Sequence, residues 1–129
     1  MGFTVRNLKE DVDDVAPSFG LSPGVEVRFA RAPLESKKVA VSYQRLKPNV
    51  RIPFGHKHAS QEEIYVVLSG SATAKLDDET VELTQWDALR VDPETMRGIE
   101  AGADGVEFLA VGGPVGDKND AELVNDWWS

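Results

Sequence analysis

The sequence predicts a small all-β fold, a barrel or sandwich, on three observations. Short runs of β-forming residues fill the chain from about residue 24 to residue 111. Clusters of Asp, Gly and Pro separate them at close spacing, as in sandwiches and barrels. Helical periodicity is confined to the first 23 residues, where NLKEDVDDV sets Leu8, Val12 and Val15 at helical spacing and stops at Pro17. That pattern predicts a short N-terminal helix.

Each later element has its own signal. VEVRFA alternates Val25, Val27 and Phe29 with Glu26 and Arg28, the period of a strand with one buried face. KVAVSYQRL is rich in β-formers. EIYVVL is apolar on both faces, which predicts a strand covered on both sides. SATAKL sets Ala72, Ala74 and Leu76 against Thr73 and Lys75. The two Asp residues of LDDETVEL suit a hairpin turn. DALRV and GVEFLAV complete the set, bounded by DPET, AGADG and GGP. The polar tail GDKNDAELVNDWWS carries Leu123, Val124, Trp127 and Trp128, and its aromatic residues predict packing against the barrel or a second subunit. One domain is expected over residues 1–129, divided into an N-terminal helix and lead-in (1–23), a barrel (24–113) and a tail (114–129).

Composition excludes several classes. The chain has 129 residues, 41% hydrophobic and 28% charged, typical of a globular protein. Its net charge of −8, with Lys and Arg scattered, argues against nucleic acid. No apolar run approaches the roughly 20 residues of a membrane span, and the acidic N-terminus is no secretory signal. With no cysteine there are no disulfides and no thiolate chemistry. A cytoplasmic location is the expectation.

The two histidines of the chain, His56 and His58, both lie in GHKHASQEEIYVVLSG. Two apart on an extended strand, their imidazoles leave the same face. Glu63 follows in the next strand, and two imidazoles with one carboxylate can form a facial triad with open positions. Such donors suit Fe, Mn, Ni, Cu or Zn better than Mg or Ca. A His-x-His pair alone is more often a surface feature, and Glu62 and Glu63 alone are more often charges beside a loop. If Glu63 points inward, Tyr65 and Val67 do too. On the preceding strand Tyr43 or Gln44 faces the pocket, but not both; Tyr43 is placed with Tyr65, Arg97 and Glu62 in the expected substrate-binding set.

The spacing His, one residue, His, four residues, Glu, six residues, Gly, ending at Gly70, resembles the first motif of the cupin family, whose members fold as jelly-roll barrels. LKPNVRIPFGHKH resembles the approach to that motif, with Asn49 where glycine is usual. QWDALRVDPETMRGIE is similar to the second motif, with Trp86 and Glu94 at two further glycine positions and Arg97 at the third histidine. The resemblance covers roughly residues 38 to 111 and implies the fold more firmly than an activity.

Arg97 leaves the metal open. A divalent ion about 5 Å from a guanidinium meets repulsion of roughly 6 kcal/mol at an effective dielectric near 20, partly offset by Glu63. The side chain can fold into the pocket against Glu63, extend past it to hold an anionic substrate, or point out of the barrel. Two functions follow: metal-dependent chemistry through His56, His58 and Glu63 on a small polar or anionic substrate, or a metal-free module binding a sugar or organic acid. A homodimer is expected in either case.

Overall fold

The computed structural model describes residues 2–116 and 120–128. Eight strands form it: β1 (Val25–Phe29), β2 (Ala40–Leu46), β3 (Gly55–His58), β4 (Glu62–Leu76), β5 (Glu79–Thr84), β6 (Ala88–Val91), β7 (Arg97–Gly113) and β8 (Ala121–Val124). All pairings are antiparallel.

β4 and β7 run side by side along almost their whole length, and each takes part in two layers. Residues 106–113 of β7 lie between β2 and residues 62–70 of β4, with β1 and β6 outside them. Residues 97–101 of β7 lie between β3 and residues 72–76 of β4, with β8 and β5 outside. The result is a curled, two-layered barrel of the jelly-roll type. The bend between layers coincides with a register shift between Gly70 and Ala72. Gly70 has a φ of +77°, and a Cβ there would stand 2.0 Å from the Gly105 carbonyl oxygen. Only glycine permits that crossing.

The core fills the space between the layers. Val25, Val27, Leu46, Tyr65, Val67, Ala72, Ala74, Val91, Ile99, Val106 and Phe108 are all buried in it. The inward set of β4 is Glu63, Tyr65 and Val67, as strand parity predicts. Its outward set is less covered than expected, because Ile64 is 40% exposed.

The N-terminal helix expected over Leu8–Val15 does not form. Asn7 Oδ1 accepts the Lys9 and Glu10 amides, both at 2.9 Å, and Asp11 accepts the Asn7 amide at 2.7 Å. Asp14 Oδ1 accepts the amides of Ala16 and Val27. Asn7 thus caps a single turn, closed by the Asp11 amide on the Asn7 carbonyl at 2.9 Å. Asp14 and the Val15 amide, which donates to the Val27 carbonyl at 2.8 Å, then tie the chain to β1 instead of extending a helix. A 3-10 helix at Ala16–Phe19 and a one-turn helix, α1 (Arg31–Leu34), are the helical elements instead. The second lies between β1 and β2, so helix is not confined to the first 23 residues.

The aromatic tail packs on the barrel of its own chain, and it contributes a strand, β8, that the sequence reading did not anticipate. Trp127 lies flat on the backbone of Gly55 and Gly98, where an added Cβ would come within 2.6 and 2.8 Å of the indole. Lys75 Nζ sits 4.2 Å above that ring and donates to the Trp127 carbonyl at 2.8 Å. Trp128 Nε1 donates to the Ile52 carbonyl at 2.9 Å, under the Arg51 guanidinium. Trp127→Ala is expected to lower the unfolding free energy by about 2–3 kcal/mol in chemical denaturation; an unchanged midpoint would show the clasp to be ornamental.

Candidate metal and ligand site

β3 lies between β7 and the tail strand. His56 is opposite Arg97 on one side and Leu123 on the other, and His58 is opposite Ala121. Directly opposed residues share a face, so both imidazoles and Arg97 point between the layers. Glu63 and Tyr65 enter from β4 in the facing layer. His56 Nε2 stands 3.3 Å and His58 Nε2 3.4 Å from Glu63 Oε1, and the three donor atoms lie within 4.8 Å of one another.

Glu63 is the hub. Its Oε1 accepts the Tyr65 hydroxyl at 2.7 Å and Arg97 Nη1 at 3.2 Å. Burial opposes its charge, but the close imidazoles of His56 and His58, with the Tyr65 hydrogen bond, outweigh that and hold the carboxyl well below the usual range. Burial and the neighbouring Glu63 charge push the Tyr65 phenol far up. Arg97 takes the first of its three orientations, folded inward against Glu63. It is 1% exposed, and Nη2 donates to the Asp92 carbonyl at 2.6 Å.

The sequence reading missed Asp120, at the entry to β8. Its Oδ2 is 2.9 Å from His58 Nδ1, and its Oδ1 accepts the Ser60 amide at 3.0 Å and hydroxyl at 2.7 Å. Burial raises its pKa, but the bonds from Ser60, His58 and Gln61 lower it further, so it is ionised. An ionised carboxylate only accepts. Nδ1 of His58 therefore carries the hydrogen, and in the neutral ring Nε2 holds a lone pair. Among the described residues that Nε2 is buried with no partner in good hydrogen-bond geometry, and it stands 3.4 Å from Glu63 Oε1. Two electron-rich atoms at this separation call for a cation between them, a proton or a metal ion.

The donor set fits a metal. With bonds of about 2.1 Å, neighbouring ligand atoms on a transition ion lie about 3.0–3.4 Å apart, close to the separations of both imidazoles from Glu63. Asp120 stands where an outer carboxylate would orient a metal-binding imidazole.

Two residues expected at the pocket are elsewhere. Tyr43 faces the opposite side of β2, where its hydroxyl donates to Glu107 and Lys9 lies over its ring; its neighbour Gln44, with Ser42, lines the cavity instead. Glu62 is exposed and pairs with Arg90 at 3.2 Å. Strand alternation separates Tyr43 from Gln44 and Glu62 from Glu63, but the residue types did not say which member turned inward at β2.

No family model matches the chain. It is 33% identical over 123 residues to the uncharacterized protein MJ1618 of Methanocaldococcus jannaschii, covering 94% of this chain and 98% of that one. A crystal structure of a cupin protein, BF4112 of Bacteroides fragilis, superimposes with a TM-score of 0.72 at 26% identity, covering 91% of this chain and 88% of that chain. The chain has the cupin fold. Streptomyces PAC13, in a structure with uridine, shares the fold at a TM-score of 0.76 and 14% identity, over 98% of this chain and 93% of that chain.

Two positions where the cupin motifs usually carry glycine have left-handed backbone here without one. Asn49 and Trp86, both at glycine positions of the motifs, adopt left-handed φ values of 61° and 71°. Asn accepts that conformation readily; Trp86, 70% exposed, bears the strain without packing to offset it. The cupin's third-histidine position is filled by a guanidinium that meets the same Glu63 oxygen the histidines face.

The pH response follows from the two shifted groups. Burial lowers the pKa of His58, but the nearby Glu63 carboxylate and the bond to Asp120 raise it above the ordinary imidazole value of 6.5 overall. Its stabilising contribution is present below that value and fades as pH rises through the folded pKa. The contribution of Glu63, whose pKa is depressed, is present above 4.5 and fades as pH falls through its folded pKa. Without metal, these two groups stabilise the protein most in mildly acidic solution. A metal must displace the proton on His58, so its affinity rises with pH. Titrations at mildly acidic and mildly alkaline pH will check this, and a pH-independent affinity would remove His58 from the ligand set.

Proposed function

We propose that this cupin binds a divalent transition ion through His56, His58 and Glu63 and uses it on a small molecule held between the two layers. The observation that carries the reading is the buried Nε2 of His58, its tautomer fixed by Asp120, aimed at a carboxylate oxygen. When bound, such an ion supplies Lewis acidity and open coordination positions. The chain's own residues do the rest. Asp120 holds His58 with its lone pair inward. Tyr65 and Arg97 fix the Glu63 carboxylate and keep it ionised. Gln44 and Ser42 offer polar contacts on the facing wall. Arg97 is a positioning residue, occupied by Glu63 and two backbone carbonyls. The PAC13 structure with uridine supports a small-molecule ligand for this fold.

Elemental analysis of untagged protein is expected to find near-stoichiometric transition metal. Absence of metal after exposure to Mn, Fe, Ni and Zn salts would leave the metal-free binding module as the function. Asp120→Asn, which keeps the shape but removes the charge behind His58, is expected to weaken metal binding about 10- to 100-fold; unchanged affinity would mean Asp120 only ties down β8.

We also assign a homodimer. Exposed Phe3, Val5 and Ile64 give the chain apolar surface that a second copy would cover. Light scattering showing a monomer at working concentration would refute it.

A further inference from the structure

The cavity above the metal ligands has a volume of about 350 Å³, room for a small organic ligand. Polar side chains form its floor, where Arg97, Tyr65 and His58 already make hydrogen bonds, and Ser42 and Gln44 stand on β2 beside Phe29 and Val27 of β1. Arg97 is bonded to Glu63 and to the Asp92 and Pro93 carbonyls, and Tyr65 donates to Glu63. His58 Nδ1 is held by Asp120, and Gln44 Nε2 donates to Ser42 Oγ at 3.1 Å. Arg97 is the only Lys or Arg among the described residues that line the cavity, and its charge is matched by Glu63.

The rest of the lining is apolar. Phe19, Phe29 and Leu123, from the 3-10 helix, β1 and β8, border the cavity and are 52%, 51% and 57% exposed. Ile52 and Phe54 continue the same surface. Large apolar side chains left open around a cavity mark the surface that a ligand covers. A polyhydroxylated ligand would bury hydroxyls against this wall without partners, losing about tenfold in affinity or more for each.

We infer that the ligand of this site carries an aryl or branched alkyl body, lodged among Phe19, Phe29, Phe54 and Leu123, and a compact oxygen head directed at His56, His58 and Glu63. The head's chemistry rests on the metal reading proposed above; the body's does not. This sets the ligand apart from the sugars and small organic acids that a polar pocket would select.

Phenylpyruvate and pyruvate share one head and differ by the aryl group, so the ratio of their affinities reads the wall alone. Isothermal titration of the full chain, with and without Mn(II), is expected to give phenylpyruvate at least about tenfold tighter than pyruvate and tighter than glucuronate. Phe29→Ala and Leu123→Ala are expected to lower that ratio at least threefold. Both side chains are half exposed, so the variants keep the fold, which circular dichroism verifies. A ratio near one in both metal states, glucuronate binding more tightly, or no binding of phenylpyruvate at millimolar concentration would each overturn the inference. Mn(II) affinity measured without any organic acid tests the floor separately. The protein can thus fail as a metal binder and still show the aryl preference, or hold metal and lack it.

Discussion

Glu63→Gln is expected to abolish stoichiometric metal uptake and to destabilise the metal-free protein by about 3–5 kcal/mol. Glutamine is nearly isosteric, so packing is preserved and the charge alone is lost. Two consequences follow at once. The only anionic member of the triad disappears, leaving two neutral imidazoles beside a guanidinium to bind a dication. Arg97, 1% exposed, also keeps its charge but loses the carboxylate that compensates it. Removing one partner of a buried ion pair has the effect given above because the other is left uncompensated. Denaturation and elemental analysis on the same preparation will measure both. Metal retained at full occupancy would show that Glu63 is a structural anchor for Arg97 rather than a ligand.

Arg97→His should act in the opposite direction on metal. It removes the cation that shares the Glu63 oxygen and places an imidazole opposite His56 on the adjacent strand. With the like-charge repulsion relieved and a fourth donor supplied, affinity for Mn(II) or Zn(II) is expected to rise at least about tenfold. The same substitution frees the Asp92 and Pro93 carbonyls, so the metal-free variant should be less stable than the parent, and added metal should restore the difference by binding the folded state. If metal affinity is unchanged, Arg97 does not govern occupancy of the site.

The barrel was legible in the sequence because its signals are local. Alternation in VEVRFA marked Val25 and Val27 as inward, strand parity tied Tyr65 and Val67 to Glu63 in a segment apolar on both faces, and the spacing of His56, His58 and Glu63 put three candidate ligands together. What escaped prediction depends on partners far apart in the chain. The pattern of Leu8, Val12 and Val15 was helical, but only one turn forms, because Asp14 and Val15 both bond to Val27 on β1, twelve or more residues ahead. Gln44 rather than Tyr43 faces the cavity because the phenol finds Glu107 on the outer side of β7. Asp120 lies 62 residues from His58, and nothing near it in a polar tail distinguishes it from its acidic neighbours. The one local hint was the apolar pair Leu123 and Val124 shortly after it, which fits a strand.

The carboxylate behind His58 and the strand that follows it are translated after every other strand of the barrel. The two long strands and their neighbours can therefore zip together while the imidazole is still free to rotate and either ring nitrogen can be protonated. Commitment to one tautomer waits until the last strand docks beside β3. A metal that needs that tautomer would bind only after β8 has docked beside β3.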